Sequence, residues 1–175
     1  VAVFLVGFTY VGLVDTTNYL NHYWFVRYAA LLMLFMPLGR VVSLDALWKR
    51  RTGADDDQPP ATLPAWPIWA LRLQIGVVYF FAGVGKLNYD WLVRGQPMEI
   101  WLSARTHLPV VGPYLALDWL PRALSIAGAV FDLSIFFVLP LAALRPFGYL
   151  AVVGFHTATG FLFNIGMFPV IMIGI

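Results

Sequence analysis

Apolar and polar positions fall in long blocks along this chain. Five apolar segments stand out: Val1–Val14, Tyr23–Leu38, Ile68–Gly85, Ala123–Leu144 and Pro146–Phe163. A sixth apolar piece, Ile165–Ile175, reads as a turn into a further span. A hydrocarbon core of about 30 Å is crossed by about 20 helical residues, and three of the segments come close to that length. Open strands would leave backbone groups unpaired in lipid, and the runs lack the alternation of a membrane barrel. The pattern therefore predicts an all-α, polytopic transmembrane helix bundle of about five to six spans. It forms one domain over residues 1–175. Val1 and Ile175 both fall in mid-apolar sequence, so the expectation is a fragment truncated at both ends.

Two longer polar connections separate the spans. Residues 40–66 carry Lys49-Arg50-Arg51, then Asp55-Asp56-Asp57, then Pro59-Pro60, and read as a solvated loop whose acidic triplet is not a metal site. Residues 88–122 mix Trp91, Trp101 and Trp119 with charges and prolines. Tryptophan favours the half-wet membrane interface. Met98, Trp101, Leu102 and Arg105 share helical spacing, which predicts a short interfacial helix.

Counting basic residues sets sidedness. The 40–66 loop has four, and the Arg145 turn adds one, against Lys86, Arg94, Arg105 and Arg122 on the other side. That balance, with the dense cluster at Lys49–Arg51, places the 40–66 loop in the cytoplasm. Alternation then puts Asp15–His22, the 88–122 segment and the Asn164 region at the outer, non-cytoplasmic face. His156 lies eight residues before Asn164, so roughly 12 Å below that face at about 1.5 Å per residue.

Composition agrees with a membrane location. Apolar residues make up 61% and charged residues 11%, against about 45–50% and about 25% in soluble domains. The mean hydropathy is +0.77. The few charges form no basic stripe, so no nucleic-acid partner is expected. The absence of cysteine removes disulfides, thiolate zinc sites and cysteine nucleophiles. No metal-ligand spacing, phosphate loop, Gly-x-Ser-x-Gly elbow or internal repeat occurs, and no protein-bound metal is expected.

A few residues could carry chemistry. Lys86 ends an apolar helix through Gly83 and Gly85. One reading is a lysine snorkelling to water. The other is an amine in a dry site that is neutral and acts as a base. Gly83 and Gly85 would let a helix or a flat ligand come close. His22 follows Asn21 in a polar stretch that reads either as a capped surface turn or as a group that binds a developing oxyanion. Asp132 and His156 are ionisable groups in mid-span, which face a bundle interior or wet cavity. They read either as a structural Asp–His or Asp–Arg pair or as a proton relay or ligand contact.

These residues sit in recognisable motifs. Arg72-Leu-Gln74, then Tyr79-Phe-Phe-Ala-Gly-Val-Gly-Lys86-Leu-Asn-Tyr-Asp-Trp91, resembles the active-site lysine region of the vitamin K-dependent gamma-glutamyl carboxylase family. Gly95-Gln-Pro-Met98, Asp15-Thr-Thr-Asn-Tyr-Leu-Asn21-His22, Asp132-Leu-Ser, Phe155-His156 and Ile165-Gly-Met-Phe168 are similar to further family motifs, in the family's order. The same match is shared by bacterial proteins carrying the horizontally transferred transmembrane (HTTM) domain. There are departures. The family's Lys-Lys pair is Gly85-Lys86 here, the Lys of its Asp-Lys-Thr is Thr16, and its luminal β-rich domain has no counterpart in these residues.

The resemblance implies a membrane enzyme, of lyase type, that couples epoxidation of a reduced naphthoquinol by O2 to removal of a glutamate γ-proton and addition of CO2. Lys86 would be the base, Asn21 and His22 would face the developing charge, and His156 would lie close to the same site. Gln74, Tyr79, Gly83, Asp132 and Asn164 would border the cofactor. Reduced vitamin K, O2 and CO2 are then the co-substrates, and the partners are the lipid bilayer, the lipid quinol and a glutamate-containing peptide or protein. The alternative is a non-carboxylating HTTM protein: a quinone-binding oxidoreductase, a transporter or a scaffold.

Overall fold

The structure is a computed structural model. It describes residues 1–15, 20–36, 48, 51–52 and 64–174, with only the backbone for Asn21. Most of the 40–66 loop, including its acidic triplet, lies outside the described residues, as do Thr16–Tyr19 and the end of the expected span at Pro37 and Leu38.

The described residues are helical, with no strand among them. In chain order they form α1 (Ala2–Val14), α2 (Asn21–Leu34), α3 (Trp66–Gly85), a single π-helical turn (Asp90–Arg94), α4 (Gln96–Ser103), α5 (Gly112–Leu115), α6 (Leu120–Val138), α7 (Arg145–Leu162) and α8 (Phe168–Gly174). Pro97, Pro113, Pro121 and Pro146 each sit in the first turn of their helix, where a missing N–H breaks no bond. α3, of 20 residues, and α6, of 19, are the described helices long and apolar enough to cross a bilayer.

α6 stops at Val138, short of the Leu144 expected from the apolar run. Pro140 supplies no N–H and disfavours helix at the residue before it, so residues 139–144 turn instead. The last apolar piece does form a helix, but α8 has only seven residues.

The chain divides into two compact units, Val1–Gln74 and Ile75–Ile175. In the first, α1 packs against α2. Arg27, inside α2, lays its guanidinium over the rings of Trp24 and Phe8, at 4.7 and 5.3 Å.

The second unit is built around α6. α4 and the π-helical turn pack on it, and α7 packs on α8. Tyr79, Ile135, Val152 and Met172 form one buried cluster. Met98, Leu102 and Leu115 form another, flanked by Trp91. The 96–103 helix foreseen as interfacial therefore buries one face against its own protein, while Trp101 stays exposed. Polarity is inverted relative to a soluble globule. Ser125, Asp132 and His156 are buried, whereas Phe81, Val130, Phe147 and Leu150 are exposed. In lipid this arrangement is favourable, because the apolar faces meet acyl chains while Asp132 and His156 find partners inside.

Candidate functional site

The second unit holds a cavity of about 160 Å³ whose wall is drawn from α3, α6, α7 and the tail that follows α7. Register explains how its polar residues arrive there. Lys86, the residue after α3, is seven residues beyond Tyr79, and Asp132 comes from α6. Seven residues make nearly two turns, which returns a side chain to the same face. His156 enters from α7, and Phe163, Ile165, Phe168 and Met172 complete the wall from the tail.

Two polar couples stand in this mostly apolar surround. Lys86 forms an ion pair with Asp132, whose side chain is 6% exposed. The Lys86 Nζ also donates to the Ala82 carbonyl at 3.2 Å and lies 5.2 Å from the centre of the Trp91 ring. Trp91 is itself fixed. Its main-chain N–H donates to Asn88 Oδ1 at 2.9 Å, and its indole N–H donates to the Ser125 carbonyl at 2.8 Å. The second couple is Tyr79 Oη with His156 Nε2, at 2.8 Å. His156 is 1% exposed, and the rings of Phe131, Phe155 and Phe168 stand edge-on to it. Its Nδ1 has no hydrogen-bond partner among the described residues.

The sequence left Asp132 to a structural pair with a histidine or an arginine, or to a relay. The pairing differs from the first of these: Asp132 takes Lys86, and His156 takes Tyr79. Position decides this, since Lys86, just past the end of α3, reaches Asp132 of α6, while Tyr79 within α3 reaches His156. Of the candidate residues, Lys86, Tyr79, Asp132 and His156 all line this cavity.

The other candidates lie elsewhere. Gly83 is used for helix packing, since a Cβ there would come within 2.6 Å of Leu133 Cγ. Gly85 has open space on that side. Asn164 is exposed, between the lining residues Phe163 and Ile165. Gln74 donates to the Phe25 carbonyl at 3.3 Å within the first unit. His22, in that unit, is buried edge-on to Tyr23 with ring centres 4.6 Å apart. Asn21 is the first residue of α2. Trp91 was read as an interfacial residue and as the end of the lysine motif, yet its ring covers the amine; its place five residues after Lys86 in that motif was the available signal. Among the described residues no group of three or more His, Asp or Glu side chains could hold a metal ion.

Chemically, the arrangement offers an apolar slot with an amine–carboxylate couple and a phenol–imidazole couple in its wall. Such a wall can hold a flat apolar molecule and exchange a proton with it.

No solved structure matches the chain. The model of the HTTM domain matches residues 1–175, the whole chain. That domain is transmembrane, and it occurs in members of the vitamin K-dependent carboxylase family. With its apolar outer faces, its buried polar couples and this full-length match, the chain belongs to the HTTM domain family and is a membrane protein.

Proposed function

We propose that this chain is the membrane part of a carboxylase-like enzyme driven by a lipid quinol, built as a bundle of about five to six spans. The single observation that carries the reading is the placement of Lys86. Its amine borders an apolar cavity and is the nitrogen that the family resemblance makes the base. An apolar hole of about 150 Å³ accommodates benzene, so the ~160 Å³ here takes one ring of a quinol head.

In this reading the residues divide the work as follows. The aromatic and aliphatic wall binds the ring and keeps water from the reacting atoms. Lys86 takes a proton from the quinol hydroxyl. His156, held through Nε2 by Tyr79, has Nδ1 for a polar atom of the ligand. Reduced vitamin K, when bound, would supply the reducing power with which O2 becomes a base strong enough for a glutamate γ-proton, with CO2 as the carbon donor. Asn21, His22, Gln74 and Asn164 enter this reading only through the resemblance. The topology that puts the 40–66 loop in the cytoplasm sets Lys86 toward the opposite face, where a peptide substrate would arrive.

The test is direct. The complete protein in liposomes, given reduced vitamin K, O2, CO2 and a glutamate peptide, forms vitamin K epoxide and γ-carboxyglutamate. Lys86→Ala lowers both by about 10²–10⁴-fold, the usual worth of a general base. Oxidised quinone with no epoxide would make the protein an oxidoreductase instead. Unchanged turnover in Lys86→Ala would remove Lys86 as the base.

A further inference from the structure

A lysine that serves as a base has to present an uncharged amine, yet Lys86 is in contact with a carboxylate. The surroundings of the pair resolve this conflict. Lys86, just past α3, and Asp132, on α6, meet at 19% and 6% side-chain exposure. Around them are Val78, Ala82 and Phe155 of the cavity wall and the ring of Trp91. The other polar couple, Tyr79 with His156, is engaged with itself. Charges in such a place carry a desolvation cost, heaviest for the more buried Asp132. Moving one proton across their contact turns both into neutral groups and removes that cost.

We propose that Asp132 is a positioning residue that also stores the proton of Lys86. The N–H bond at Nζ breaks as an O–H bond forms on Oδ2. The electron pair stays on nitrogen, and no oxidant or reductant takes part. A hydroxyl of the ligand then gives its proton to that electron pair. The new oxyanion finds an ammonium and a neutral carboxylic acid beside it. With Asp132 ionised throughout, the same oxyanion would form next to a carboxylate, and like charges at short range repel strongly in a low-dielectric site. The proposal rests on the reading of Lys86 as a base, and it accounts for why that base is partnered by an acid.

Infrared difference spectra of the complete protein in lipid nanodiscs test the proton's position without any turnover. Wild type is expected to show the carbonyl stretch of a protonated carboxylic acid that shifts in heavy water. The band disappears in Asp132→Asn and grows in Lys86→Met, where no amine competes for the proton. A band present in Lys86→Met but missing from wild type would overturn the proposal, because Asp132 would then be a permanent counter-ion. Where Asp132→Asn does not fold, Asp132→Glu keeps an acceptor and is expected to retain the band at a shifted frequency; its loss would count against the proposal.

Epoxide assays add the functional arm. Asp132→Asn is expected to lose at least about 100-fold in kcat, with KM within about threefold. Formate is expected to restore turnover to Asp132→Ala in a concentration-dependent way, which a purely structural role would not allow. Wild-type turnover in Asp132→Asn would overturn the proposal. If wild type itself forms no epoxide, the carboxylase reading falls, while the infrared result still decides where the proton lies.

Discussion

Arg27, inside α2, and Lys86, just past α3, are both cations set among apolar side chains, and each is held by a different chemistry. The Arg27 guanidinium lies over two rings and donates to the Phe8 carbonyl at 3.4 Å. Gly12 makes the room, since a Cβ there would come within 1.5 Å of Arg27 Nη2. Ring faces and a main-chain carbonyl hold a charge in place but have no site for its proton. Lys86 has one ring, one carbonyl and, in addition, the Asp132 carboxylate. A guanidinium stays protonated at any working pH, whereas an amine beside a carboxylate has somewhere to send its proton. The difference separates an anchored charge from a transferable one.

Exchanging the chemistry of the second site breaks this comparison most strongly. Lys86→Arg keeps the charge and the reach to Asp132 but gives a side chain that cannot act as a base. Epoxide formation by the complete protein is expected to fall by about 10²–10⁴-fold, with the melting profile in lipid little changed. Near-normal turnover with arginine would mean that position 86 needs only a positive charge, as position 27 does.

A smaller effect is expected at the phenol–imidazole couple. Tyr79→Phe removes the partner of His156 Nε2. With Nδ1 already lacking one among the described residues, the ring would keep no hydrogen bond of its own there. Leaving a buried polar atom unpaired costs about 1–3 kcal/mol. Denaturant unfolding in detergent micelles should show a loss of that size. A loss below about 0.5 kcal/mol would imply that the imidazole finds a new partner, for which the lower end of the usual hydrogen-bond contribution is the yardstick.

The sequence exposed the ingredients of this site more clearly than their pairing. Lys86, Asp132 and His156 were visible because ionisable groups at apolar helix positions are rare in lipid and usually have a purpose. Their partners were not visible, because pairing depends on how helices are rotated against one another. Asp132 shares its face with Ser125 and reaches Lys86 rather than His156. Trp91 shows the same limit from the backbone side. Its π-helical turn ends at Gly95, with φ 63°, where a Cβ would meet the Arg122 backbone at 2.9 Å. That close approach to the start of α6 is tertiary, and no local pattern announces it. At α6 the relevant signal, Pro140, was present in the sequence, but the length of the apolar run masked it. The helical class and the apolar blocks were legible throughout, since the cost of unpaired backbone in lipid leaves few alternatives.

The finest test of the comparison lies in the first unit. Gly12→Ala forces the Arg27 guanidinium off its seat, because Nη2 is the flexible end of a long side chain and can move. The expected loss combines a cation–π contact with a long hydrogen bond, about 1 kcal/mol net. Alanine itself favours a helix interior over glycine by about 0.8–1 kcal/mol. The two terms nearly cancel, so the single substitution should change stability by less than about 0.5 kcal/mol. In an Arg27→Met background the seat has no occupant of fixed charge, and only the helix term survives. There Gly12→Ala is expected to stabilise by about 0.5–1 kcal/mol, an effect read from paired unfolding curves in detergent. Equal effects of Gly12→Ala in both backgrounds would show that the guanidinium is not seated at Gly12, and Arg27 would lose its standing as the anchored counterpart of Lys86.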